Sequence, residues 1–182
     1  MASGRGGAGD FELTPDELRV VARFAVKSAE EVLPIFEAIN PDDSRPRAAI
    51  DAAWTFANGS PRSTLQRVAA AAAHRAAREV ADDAAQHAAG AAGDAAAAAY
   101  LHPLAKATQV AHILRAAARA ARAAESSAGN DPEVGVAFIN RAGLRATPVL
   151  IDVLRRYPPA PAGDDRTTKL MNLLDISLRM PR

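Results

Sequence analysis

An all-α fold, a compact bundle of about seven or eight helices, is what this sequence predicts, and three observations predict it. Apolar residues make up 49% of the 182 residues while aromatics reach only 4%. Much of the apolar share is alanine, the strongest helix former, whose small side chain lets helices approach closely. Words that begin helices recur, a capping residue followed by proline, at Thr14-Pro15, Asp131-Pro132 and Thr147-Pro148. Nowhere does a convincing strand signal appear. The succession of short helix pairs suggests repeat-like packing, although no strict repeat is present.

The first helix starts at "TPDEL", where Thr14 caps, Pro15 fits the first position and Glu17 completes a capping box. Leu18, Val21, Ala22, Ala25, Ala29 and Val32 follow at helical spacing. Pro34 should kink the helix, because its ring clashes with the preceding turn, and Ile39 ends it before "NPDDS". A second helix is expected from Arg45 to Ala57, capped by Asp43 or Ser44 and stopped by Asn58-Gly59. Ser60-Pro61 opens a third, expected to run unbroken through "LQRVAAAAAHRAAREVADDAAQHAA". Gly90 and Gly93 loosen its end, and Asp94 caps a short fourth helix that Pro103 closes. The fifth is expected over "LAKATQVAHILRAAARAARAAE", with Leu104, Ala107, Val110, Ala111 and Leu114 buried. Asp131 and Thr147 cap the sixth and seventh. A mobile link, "PPAPAGDD", then leads to an amphipathic "TTKLMNLLDISLR".

This length suits one domain with a real core. Residues 1–12, rich in glycine, read as a disordered N-terminal tail, and 13–182 as a single helical domain. The 22 basic and 21 acidic residues leave a net charge of +1, against the strong positive excess of a nucleic-acid binder. No cysteine is present, which excludes disulfides and thiolate metal sites and suits the cytoplasm. The alanine-rich middle carries too many charges to span a membrane.

Several groupings could carry chemistry. In "HPLAKATQVAHIL", His102 and His112 lie ten residues apart, and antiparallel helices would turn both toward one cleft with Tyr100 and Gln109. Histidine titrates near neutral pH and suits proton transfer. Equally, His102 could cap helix carbonyls while His112 is satisfied in the core. Asp83 and His87 are four apart with His74 nearby, but a metal needs three or four convergent ligands, and the wet face of an alanine-rich helix needs such polar residues anyway. Arg115, Arg119 and Arg122 make a basic stripe, with Arg75 and Arg78 a lesser one; such a stripe could hold phosphates or an acidic partner surface, but it reads as a solvated face. Trp54 should anchor the core with Phe56 or Phe36, and Arg45 with Arg47 should pair with Asp42, Asp43 or Asp51. No nucleophile elbow, phosphate loop or dinucleotide fingerprint occurs. No catalytic residue, metal or cofactor is therefore assigned, and an enzyme is the weaker reading.

The run "VARFAVKSAEEVLPIFEAINPDDSRPRAAIDAAWTFANG", followed by "AAAHRAAREV", resembles the Imm-5-like immunity proteins, helical domains widespread in actinobacteria. "AAAAAYLHPLAKATQVAHIL" and "ATPVLIDVLRRYPP" resemble later family segments in the same order, so the likeness runs from Leu13 to Arg179. Members often continue Gly-Pro-Ala after His-Ile-Leu, whereas this chain has Arg115-Ala116-Ala117, and a pocket shaped by that Gly-Pro would differ here. Members are also labelled exonuclease-like, yet the chain lacks clustered carboxylates to hold catalytic metals. The resemblance implies a non-catalytic protein that neutralises a toxin by helical surface contacts, with a protein partner and no nucleic acid or membrane. The binding residues expected from both lines of reading are Tyr100, His102, Gln109 and His112 in one region, and Arg45, Asp51 and Trp54 in the other. The alternative is a small-molecule binder or accessory enzyme of a biosynthetic or self-resistance pathway, with an interhelical pocket near His102 and His112. The oligomeric state is left open.

Overall fold

The computed structural model describes residues 9–181, and among them eight α-helices and no strand are found. Helix α1 spans Pro15–Ile39, α2 Arg45–Ala57, α3 Thr64–Glu79 and α4 Asp83–Ala97. They are followed by α5 Val110–Ser127, α6 Pro132–Arg145, α7 Pro148–Arg155 and α8 Arg166–Arg179. Single 3-10 turns at Ala98–Tyr100 and Ala107–Gln109 lie between α4 and α5.

Local chemistry explains the boundaries. The Thr14 hydroxyl accepts from the Glu17 amide, and the Glu17 carboxylate accepts from the Thr14 amide at 2.8 Å, so the box at the head of α1 is complete. The helix then continues through Pro34 to Ile39. At α2 the Ser44 side chain makes no cap bond; Asp43 accepts from the Arg45 amide at 3.1 Å instead. The long third helix expected from the sequence is two helices. Val80 is extended and buried, and the Asp82 carboxylate caps a fresh start by accepting from the Ala85 amide at 2.8 Å. Asp94 does not begin a helix; it lies inside α4, which runs through Gly90 and Gly93 to Ala97. The fifth helix also starts late. Leu104 to Lys106 form a tight turn in which the Leu104 amide donates to the His102 carbonyl at 2.8 Å.

Helix α4 is the centre. It packs against α1, α2, α3 and α5, and its buried residues are alanines, two glycines and Asp94. Helix α5 carries the structure onward by packing on α1, α6 and α8. Of the expected N-terminal tail, residues 1–8 lie outside the described residues. Asp10 is tied to the turn before α5 by its amide on the Pro103 carbonyl and its carboxylate on the Ala105 amide. Phe11 meets Tyr157 edge to face at 5.0 Å. Arg156, just past α7, donates to the Glu12 carbonyl and to Glu17. The link before α8 is pinned too, by Asp175 on the Ala160 amide and Arg179 on the Tyr157 carbonyl. No single helix among the described residues is long and apolar enough to cross a membrane.

Candidate functional site

The polar centre of the molecule is Asp94, a carboxylate only 2% exposed in a helix otherwise buried through methyl groups and bare backbone. A charge so placed requires partners, since an isolated buried carboxylate costs far more than a fold can supply. Helix α5 provides two of them. Arg115 donates to Asp94 Oδ1 through Nε at 3.0 Å and Nη2 at 2.7 Å. Arg119 Nε lies 3.0 Å from Oδ2, an ion pair without hydrogen-bond alignment. Helix α3 provides the third, His74, whose Nε2 is 3.5 Å from Oδ1.

The two glycines of α4 make this possible. A Cβ on Gly93 would stand 2.8 Å from the His74 ring, and one on Gly90 would overlap Arg119 Nη1. They are clearance for side chains from neighbouring helices, not points where α4 loosens. Arg115, directly after the His-Ile-Leu run, places its guanidinium on Asp94.

A groove of about 570 Å³ opens over this cluster, lined by His74, Ala77, Arg78, Gln86, His87 and Arg119. At its far end His87 Nε2 is 3.6 Å from Asp83, which also accepts from Arg122 at 3.0 Å and from the Ser126 hydroxyl at 2.7 Å. Arg122 continues the ion pairs to Glu125, 3% exposed, and Glu125 in turn holds Arg166 of α8 with both oxygens. The basic stripe on α5 is therefore an interhelical seam rather than a solvated face. Burial holds both His74 and His87 below the ordinary histidine value, against the pull of Asp94 and Asp83 respectively. Both rings are thus favoured in the neutral form. Burial opposes the charge on Arg115 as well, but the hydrogen bonds to Asp94 and its charge attraction together outweigh it and raise the pKa. No group of three His, Cys, Asp or Glu among the described residues is arranged to hold a metal ion.

The residues singled out from the sequence fall in separate places. His102 is exposed in the turn; its amide donates to Gln109 Oε1 at 3.0 Å and its carbonyl accepts from the Tyr157 hydroxyl at 2.8 Å. Burial pushes that hydroxyl up to about 12. His112 is largely buried and bonds the Ala97 carbonyl at the end of α4; burial, with Arg115 adding to it, holds the ring below its ordinary value. The two histidines are close enough for His102 to disfavour charge on His112, but neither lines the groove over Asp94. Tyr100 turns the other way. Its hydroxyl donates to the Ser63 carbonyl at 2.6 Å, and Arg62 and Arg67 lie over its ring at 5.1 and 5.0 Å.

Arg45 binds Asp43 through two nitrogens and reaches Glu79 at the end of α3, so it braces α2 against α3. Arg47 pairs with Glu37 rather than with a nearby aspartate. Asp51 is exposed and makes no side-chain bond among the described residues, and Trp54 is half-buried at the edge of the core. Phe36 and Phe56 occupy the interior in its place. Sequence reasoning missed Asp94 as a centre. The available signal was a charge set in the second half of α4, where every other residue from Ala88 to Ala97 is alanine or glycine.

The family model described as Imm-5 like putative immunity protein matches residues 12–124, more than half of the chain. No curated protein and no solved structure matches it.

Proposed function

The chain belongs to the Imm-5 like immunity protein family, and on that premise we propose that it neutralises a protein toxin by binding it through helical surfaces, without a chemical step. The observation that carries the reading is the family match, whose span covers α1 through α4 and most of α5. Within that span α2 and α3 pack side by side, joined by the Gln66 side chain on the Ala52 carbonyl at 3.1 Å. Their outward residues suit a protein partner. Asp51 is an unpaired surface acid, Trp54 is a half-exposed aromatic, and Leu65 and Val68 of α3 stand 51% and 63% exposed. Partly exposed tryptophan at a rigid position is the residue type most enriched among binding hot spots.

The test is growth rescue. Each toxin domain carried in the source genome is expressed in a sensitive host with and without this chain. Rescue from one toxin is expected, with a stable one-to-one complex and the toxin chemically unaltered. Asp51→Arg together with Val68→Glu should abolish rescue while leaving Tm within about 4 °C, since each exposed substitution changes stability by less than about 0.5 kcal/mol. Rescue accompanied by covalent change to the toxin, or no rescue from any toxin, would sink the proposal.

A further inference from the structure

We propose that the groove between α3, α4 and α5 is an oxyanion-binding site, with Arg119 and Arg78 as its donors and His74 and His87 as its walls. Asp94 carries one negative charge and faces two guanidiniums, Arg115 and Arg119. Arg115 takes the aligned hydrogen bonds, and Arg119 is left with an ion contact through Nε alone. Neither Nη of Arg119 makes a hydrogen bond among the described residues. Arg78, on the opposite lip, has no ion pair or hydrogen bond there either. The groove thus holds a surplus of positive charge, and its unused N–H groups are donors without acceptors.

The arrangement is also held in place before any ligand arrives. Arg119 lies against the bare backbone at Gly90 and is fixed at Nε by the buried carboxylate. A guanidinium that has already lost its rotamer freedom gives up less on binding, which is the advantage of a preorganised donor. His87 Nδ1 is buried and has no hydrogen-bond partner among the described residues. A planar carboxylate or a phosphate matches two N–H groups of one guanidinium, and the groove, at about 570 Å³, has room for such a group on a larger molecule. The assignment does not rest on toxin neutralisation; the α2–α3 surface and the groove are separate places.

The experiment is an NMR titration of the intact chain, following the ring signals of its four histidines. Two probes separate the sources of the anion: inorganic phosphate, and a hexaglutamate peptide carrying protein-type carboxylates. Saturable movement of the His74 and His87 signals, with His102 unmoved, is expected for at least one probe. Tighter binding of phosphate identifies a free anion or phosphorylated ligand, and tighter binding of the peptide an acidic protein segment. Arg119→Gln should weaken the tighter probe at least tenfold. Because Arg119 also contacts Asp94 and its loss could perturb the fold, Arg78→Gln gives an independent arm; Arg78 is exposed and pairs with nothing described, so the fold should be unaffected and affinity should fall about threefold or more. Overturning results are a linear, non-saturating response to both probes, equal movement of His102, or unchanged affinity in Arg78→Gln.

Discussion

Helices α4 and α8 each bury one aspartate, and the contrast between them shows how side-chain size decides what a charge does. Along α8 the interior residues are Leu170, Met171, Leu174 and Leu178, and Asp175 is served locally, by Arg179 four residues on and the Ala160 amide. Along α4 the interior residues are alanines and glycines, and Asp94 gathers two guanidiniums from α5 and the His74 imidazole from α3. Leucine side chains interdigitate and join helices by themselves. Methyl groups permit close approach but grip weakly, so in the centre the ionic cluster spans the helices. At α8 the aspartate fastens a loop.

Four sets of substitutions and one titration can break that comparison. Asp94→Asn leaves Arg115 and Arg119 facing a neutral amide, and unfolding in denaturant should show a loss of about 3 kcal/mol, the low end for a broken buried ion pair because both arginines keep contact with water. A loss below about 1 kcal/mol would mean that the alanine seam holds without its charge. Leu174→Ala, at a site with no exposure, should cost about 3 kcal/mol by truncation. Its counterpart in the centre is enlargement: Ala92→Val, equally buried, should cost about 1–3 kcal/mol by overpacking. If Ala92→Val is neutral, α4 is not close-packed as described. Asp175→Asn should cost only about 1 kcal/mol, measured by the same denaturant midpoint, since it weakens local hydrogen bonds and separates no helices.

The smallest effect expected is with pH, and it concerns the centre most. Burial holds His74, His87 and His112 below the ordinary value near 6.5. The unfolded chain therefore takes up protons before the folded one does, and stability is whole above that value and lost as pH falls through the lower folded values. Melting temperature should fall from pH 8 to pH 5, and His112→Ala should make that fall shallower. A melting temperature that rises on acidification would reverse the sign of the argument.

The fold was legible where the signal was local. Thr14, Glu17, Asp131 and Thr147 announce helix starts through bonds within three residues, and each does so in the structure. The break at Val80–Asp82 was hidden because alanine-rich sequence on both sides favours helix, and only tertiary burial of Val80 decides the matter. Gly90 and Gly93 were legible as glycines but not in purpose, since the side chains they make room for come from other helices. Asp94 was misplaced for the same reason. From sequence it looks like a cap, and its partners stand 20 to 25 positions away on faces whose pairing depends on the assembled bundle. Trp54 misled in the opposite direction, because size alone marked it for an interior that Phe36 and Phe56 fill.

The bond between Glu17 and Arg156 joins residues 139 positions apart, and it sets a timetable. A chain made from its N-terminus at about 5–20 residues per second produces Glu17 about 7 to 28 seconds before it produces Arg156. Glu31 and Ser28 wait for Arg145 in the same way. Throughout that interval the first helix is complete in sequence but unfinished in company, and its outer flank is closed only when the last third of the chain has emerged.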